Sequence, residues 1–199
     1  YNLKVVEDAA CALGAYHNTK MTGSFGDTGC FSFHPRKTIT TGEGGAVSTN
    51  DPELAAKLRL LRSHGISRTD DGIVFSLAGL NYRMTNFQAA IGRVQLKKFA
   101  GWLEQRRGLK KVYDELLVNV EGIALPADIL GHSWQTYMVT LDKKYNRQQV
   151  ISQLRENGIE TNMGAQSVIS QECYKSYQSQ YPNIIHSKDL YNHGLALPF

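Results

Sequence analysis

No proline interrupts the stretch from Thr85 to Val120, TNFQAAIGRVQLKKFAGWLEQRRGLKKVYDELLVNV. Thr85 has the hydroxyl that an N-cap needs, and Phe87, Ala90, Ile91, Val94 and Phe99 recur at helical spacing. The pattern predicts one long helix. Its basic residues (Lys97, Lys98, Arg106, Arg107, Lys110 and Lys111) read as a solvated face rather than a nucleic-acid patch. Such a helix joins two bodies instead of packing inside one. The expected fold class is therefore α/β, with a large domain over residues 1–111 that includes the helix. A smaller α+β domain follows over 112–199.

Before the helix, short β-branched runs alternate with turn chemistry. LKVVE reads as a buried strand with Asp8 at its C-terminal end, and AACALGAY as a short helix. MTGSFGDTG is a turn, CFSFH a second strand and GGAVST a third. NDPELAAKLRLLRSHG is a helix with Asp51 as N-cap, Pro52 in its first turn and Gly65 beyond its end. Residues 66–83 read as an irregular connection. Past Gly122, SWQTYMVTL reads as a strand, NRQQVISQLRENG as a helix and IET as a short strand.

The charge balance narrows the partners. A formal net charge of +4 over 199 residues is too mild to point to nucleic acid, though it suits an anionic substrate. The longest run free of Asp, Glu, Lys and Arg, Ile129–Leu141, is too short to span a bilayer. Three scattered cysteines (Cys11, Cys30, Cys173) form no CxxC pair. They suggest neither a disulfide framework nor a metal site, and a reducing cytoplasm fits them best. The chain starts without Met, inside an apolar run, as a piece of a longer protein would.

The chemistry gathers around Lys37. Asp8 ends one strand, Ser32 lies on the next, and Lys37 follows five residues later, ahead of the glycine-rich GEGG. In open α/β sheets ligands sit beyond the carboxyl ends of strands. A carboxylate there can keep a pyridine nitrogen protonated. A hydroxyl beside backbone N–H groups can hold a phosphate, and a lysine can attack an aldehyde. Those are the requirements of pyridoxal phosphate. Each residue alone also has a plainer reading: Lys37 as a solvated loop charge, Asp8 as a helix cap, Ser32 as a strand serine and His34 as a packed histidine.

EDAA, GSFGDTGCFSFHPRKTITTGEGGAVST and GLNYRMTNFQAAIGRVQL together resemble the DegT/DnrJ/EryC1/StrS family, the pyridoxal-phosphate-dependent sugar aminotransferases of fold-type I. The resemblance is densest over residues 5–96. It implies that Lys37 forms the internal aldimine and later acts as acid and base, that Asp8 faces the pyridine nitrogen, and that Ser32 binds the phosphate. It further implies that Asn81 reaches the phosphate of the other subunit in a homodimer. Arg83 reads as a substrate or interface residue, or equally as a member of a structural ion pair. Where the family commonly has Gln or His, three residues after the aspartate, this chain has Cys11. The resemblance also implies that an N-terminal half and a C-terminal tail are missing, so that this piece alone does not hold the cofactor normally.

The expected activity is transfer of an amino group, from glutamate by family analogy, to a nucleotide-linked keto-sugar. Lys37 argues against the dehydratases of the same family, which carry His there. Arg36 before the lysine argues against a cysteine desulfurase. A non-catalytic scaffold or dimerisation module is the reading from outside enzymology.

Overall fold

The computed structural model describes residues 1–181 and 183–199. The chain forms two compact units, residues 1–104 with 130–135 and residues 105–129 with 136–199.

The first unit is built on a three-stranded sheet. β1 (Val6–Asp8) is short, followed by the small hairpin of β2 (Tyr16–His17) and β3 (Lys20–Met21). β4 (Thr28–Ser32) is the central strand. It pairs in parallel with β1, Asp8 opposite Cys30, and antiparallel with β5 (Gly45–Ser48). β1 is not buried as its apolar residues suggest: Val5 and Val6 are exposed on the sheet's edge. Its Glu7 side chain instead organises the MTGSFGDTG turn. The carboxylate accepts the backbone N–H groups of Gly23, Phe25 and Gly26, at 2.8 Å for Gly23 and 2.7 Å for Gly26.

AACALGAY forms turns, not a helix. Ala12 N–H donates to Ala9 and Ala15 N–H to Ala12, each at 3.0 Å. Gly14 stands at φ +78°, where a Cβ would come within 2.8 Å of the Phe99 ring. A left-handed residue in the middle ends any helical run.

α1 (Pro52–Leu61) keeps its expected cap, with Asp51 accepting the N–H groups of Glu53 and Leu54 at 2.9 and 3.0 Å. The connection expected to be irregular contains a hairpin, β6 (Ile66–Thr69) against β7 (Gly72–Phe75). Its two-residue turn is Asp70-Asp71, with Thr69 facing Gly72 across it, so the Asn-Gly or Asp-Gly pair that usually signals such a turn is absent from its centre.

α2 (Asn86–Leu117) is the long helix, and its residues up to Glu104 belong to the first unit. Thr85 and Gln88 cap it reciprocally. Gln88 N–H donates to the Thr85 hydroxyl at 3.2 Å, and Thr85 N–H to the Gln88 side chain at 3.0 Å. The stripe expected to be apolar is largely uncovered, with Phe87 77 % and Val94 55 % exposed.

The second unit is an antiparallel four-stranded sheet. It comprises β8 (Ile123–Ala124), β9 (Tyr137–Leu141), β10 (Asn162–Met163) and β11 (Gly194–Leu197), in the order β10-β11-β9-β8. α3 (Arg147–Glu156), capped by Asn146, and α4 (Ile185–His193) complete it. The strand expected at IET falls one step later, at β10. Alternate β9 residues Tyr137, Val139 and Leu141 are buried and form the core with Leu195 and Ile151.

Two members of the expected solvated basic face are withdrawn from solvent, Lys110 fully and Arg106 in part. Lys110 is buried and pairs with Asp114 and Asp128, each at 2.7 Å. Arg106 lies over the Phe199 ring, 5.4 Å from its centroid. Asp114 also accepts the Tyr137 hydroxyl at 2.7 Å, and Tyr137 stacks on Tyr113 at 4.9 Å. Burial, with the carboxylate second, pushes the Tyr137 phenol well above its ordinary range.

Candidate active site

β1 and β4 run the same way, so their carboxyl ends open on one edge of the sheet. Asp8 ends β1. Ser32 ends β4, two residues past the one that faces Asp8. Asp8 is exposed, and one carboxylate oxygen accepts Ala10 N–H at 3.2 Å. The Ser32 hydroxyl accepts His34 N–H at 3.3 Å, which leaves its own proton to donate elsewhere.

Beyond Ser32 the chain folds into a tight, cross-linked loop. Lys37 N–H donates to the His34 carbonyl at 2.9 Å, and His34 Nδ1 accepts Arg36 N–H at 3.2 Å. Phe33 N–H donates to Gly44 at 2.9 Å and Thr41 N–H to Phe33 at 3.0 Å. The Thr40 hydroxyl donates to Phe33 at 2.9 Å and the Thr41 hydroxyl to Glu43 at 2.7 Å. Ile39, 1 % exposed, plugs the loop into the unit. The run of threonines and glycines after the lysine thus sets a rigid backbone from which a flexible side chain projects.

That side chain turns back over the sheet edge. Lys37 Nζ lies 2.8 Å from Cys11 Sγ, in the turn that follows Asp8. An acid, a thiol, a hydroxyl and an amine therefore collect at one edge. The set fits pyridoxal phosphate chemically: a carboxylate for a ring nitrogen, an amine for an aldehyde and a hydroxyl for a phosphate oxygen. Among the described residues no group of His, Cys, Asp and Glu is suited to a metal ion, and no helix is long and apolar enough to cross a membrane.

Asn81 and Arg83 belong to the same unit and both engage Ser63. Asn81 forms an isolated β-bridge with Ser63, and Arg83 Nη1 donates to the Ser63 hydroxyl at 3.4 Å. Both are exposed. Among the described residues no hydrogen bond joins either to Asp8, Cys11, Ser32 or Lys37.

Three glutamines that the sequence analysis passed over hold the lysine loop. Gln95 grips one residue by both of its backbone groups, accepting Thr40 N–H at 3.0 Å and donating to the Thr40 carbonyl at 2.6 Å. Gln88 donates to the Glu43 carbonyl at 2.9 Å. Gln135 bonds to Arg36 and Thr38. The spacing of Gln88, Gly92 and Gln95 along α2 would have revealed a polar stripe on one helix face. Nothing in the local pattern around Gln135 marks it.

A family model described as the DegT/DnrJ/EryC1/StrS aminotransferase family matches residues 1–199. GDP-perosamine synthase of Caulobacter vibrioides is 43 % identical over 166 residues, 81 % of this chain and 44 % of that protein. A Campylobacter jejuni protein named UDP-4-amino-4,6-dideoxy-N-acetyl-beta-L-altrosamine transaminase is 46 % identical over 117 residues, 58 % of this chain and 31 % of that one. Among solved structures, Helicobacter pylori PseC, an aminotransferase involved in the biosynthesis of pseudoaminic acid, superposes with a TM-score of 0.88 at 29 % identity. The match covers 98 % of this chain and 54 % of that one. The chain spans about half the length of the relatives it matches.

Proposed function

The chain belongs to the DegT/DnrJ/EryC1/StrS aminotransferase family, and from that premise we propose that the whole protein moves an amino group from glutamate to a nucleotide-linked keto-sugar. Its fold is that of the fold-type I sugar aminotransferases, and the family's cofactor is pyridoxal 5'-phosphate. The names of two relatives, a GDP-sugar synthase and a UDP-sugar transaminase, support a nucleotide-linked acceptor.

When bound, the cofactor supplies an aldehyde to carry the amino group and a protonated ring to withdraw electrons. Lys37 would hold it covalently through Nζ and would hold and return a proton at that same atom. Asp8 keeps the ring nitrogen protonated, since a facing carboxylate favours the charged form. Ser32 donates its hydroxyl proton to the phosphate. Cys11 lies against the Lys37 amine and takes the place of the Gln or His common at that position. Asn81 serves the phosphate of the partner subunit in a homodimer, and Arg83 meets the substrate.

One observation carries this reading. The Lys37 amine lies 2.8 Å from Cys11 Sγ, at the open sheet edge where Asp8 ends β1. The test is borohydride reduction of the whole protein with cofactor, followed by peptide mapping. Cofactor fixed to Lys37, together with glutamate-dependent amination of a nucleotide-linked keto-sugar, is the expected result. Cofactor fixed to another lysine overturns the assignment.

A further inference from the structure

We propose that Gln135 is a positioning residue for Lys37, its carboxamide gripping the backbone on both sides of the lysine. The inference rests on the reading of Lys37 as the cofactor lysine and names a residue that this reading does not contain. The Gln135 side-chain nitrogen donates to the Arg36 carbonyl at 2.7 Å. Its oxygen accepts Thr38 N–H at 3.1 Å and the Thr38 hydroxyl at 3.0 Å. Three hydrogen bonds from one side chain thus fall on the two neighbours of Lys37, nearly a hundred residues away in sequence. Because Arg36 offers a carbonyl and Thr38 an N–H, only a group that donates and accepts can serve both. A carboxylate lacks the donor, and an ammonium lacks the acceptor.

The backbone that carries Gln135 points the same way. Trp134 is 5 % exposed and sits at φ +51°, the left-handed region that a bulky residue enters only at a cost. Such strain persists where the surroundings enforce it, and it gathers at functional positions. Here the surroundings are specific. Trp134 N–H donates to His132 Nδ1 at 2.9 Å, and Tyr16 N–H donates to the Gly131 carbonyl at 2.9 Å. Ser133 is buried. Gly131, at φ +86°, lies so close to Tyr16 that a Cβ would come within 2.0 Å of its carbonyl oxygen. Residues 130–135 are thereby folded into the first unit and deliver Gln135 to the lysine loop.

Function demands such a brace. A lysine side chain is a flexible four-carbon stem, so the position of Nζ is only as definite as the peptide it springs from. Lys37 N–H is already tied to His34. Gln135 ties the carbonyl before the lysine and the N–H after it, so the base of the stem is fixed from both sides. A displacement of about 1 Å at a reacting group costs on the order of a hundredfold in rate.

The test compares Gln135→Ala, Gln135→Glu and wild type in the whole protein loaded with cofactor. The measurements are the pH titration of the cofactor's visible absorption, the yield of borohydride-fixed cofactor on Lys37, kcat and KM for the nucleotide-sugar, and Tm. For Gln135→Ala we expect kcat to fall roughly tenfold to a hundredfold with KM little changed, the absorption titration to shift, and fixation on Lys37 to decline. Gln135→Glu keeps the arm to Thr38 and loses the arm to Arg36, so its effects fall between. If Gln135→Ala does not fold, Gln135→Met is read in its place, because it keeps the length and apolar stem. An unchanged titration and kcat in folded variants overturns the proposal, as does failure of both to fold, which assigns Gln135 a structural role. Cofactor fixed to another lysine in the wild type overturns the underlying reading of Lys37, whatever the Gln135 variants do.

Discussion

Asp8 and Glu7 are adjacent carboxylates on β1 with opposite duties, because successive side chains of a strand face opposite ways. Glu7 is consumed by the turn it pins. Its bonds to the N–H groups of Gly26, Gly23 and Phe25 hold it below the usual carboxylate range, the Gly26 bond contributing most. A depressed folded value means stability that is present above the unfolded value, near 4.5, and lost as pH falls through the folded one. We expect denaturant midpoints to decline with acid below about pH 4.5, and Glu7→Gln to flatten that part of the profile. A mutant with the wild-type acid profile would deny Glu7 this role. Asp8, by contrast, is exposed and bonded to Ala10 N–H, which an asparagine oxygen also accepts. Asp8→Asn in the whole protein should keep the wild-type Tm and lose most of kcat, since an amide no longer favours a protonated ring nitrogen. A normal rate in a destabilised Asp8→Asn protein would make Asp8 a structural cap. The sequence distinguishes the two acids only through the resemblance, for the bonds that occupy Glu7 come from a turn sixteen to nineteen residues away.

At the scale of elements, what was legible followed local rules. α1 begins at its expected cap, Asp51, and α3, expected as a helix, starts at Asn146, because a cap is settled within four residues. The β6–β7 hairpin and the AACALGAY turns were not legible: the hairpin has no Asn-Gly or Asp-Gly pair at the centre of its turn, and Gly14 takes its conformation against Phe99, far along the chain. α2 shows the same limit twice. Its apolar stripe is the uncovered one, while Gln88 and Gln95 do the holding. Among its basic residues, Lys110 is buried between Asp114 and Asp128, which together hold its ammonium above the ordinary lysine range against the opposing effect of burial. A raised folded value adds stability below the unfolded value, near 10.5, that is lost as pH rises through the folded one. Removing one member of a buried pair costs about 3–5 kcal/mol. Asp128 is largely exposed, and Asp114 keeps its bond to Tyr137, so solvent recovers part of that cost. Lys110→Met should therefore destabilise the protein by roughly 1–3 kcal/mol, read as a lower denaturant midpoint. Lys111→Met, one residue on and exposed, should change it little. Equal effects at both positions would mean that burial of Lys110 contributes nothing.

For the whole molecule the open matter is where Asn81 acts. It lies in the same unit as Lys37 yet bridges to Ser63, and among the described residues no hydrogen bond leads from it to the lysine's sheet edge. If Asn81 serves a phosphate held by the other subunit, the missing bond is expected, because each site then draws on two chains. Mixing two inactive whole-protein variants, Lys37→Ala and Asn81→Ala, and allowing subunits to exchange separates the alternatives. In a symmetric dimer with shared sites, one site of the heterodimer inherits both defects and the other inherits neither. Activity should return towards half of the wild-type value in each heterodimer. If exchange is verified by mass but no activity appears, Asn81 works within its own chain, every heterodimer site carries one defect, and the shared-site arrangement is wrong. Exchange measured independently of turnover is what makes a silent result decisive: subunits that have demonstrably mixed and remain inactive leave no intact combination of Lys37 and Asn81 at any site.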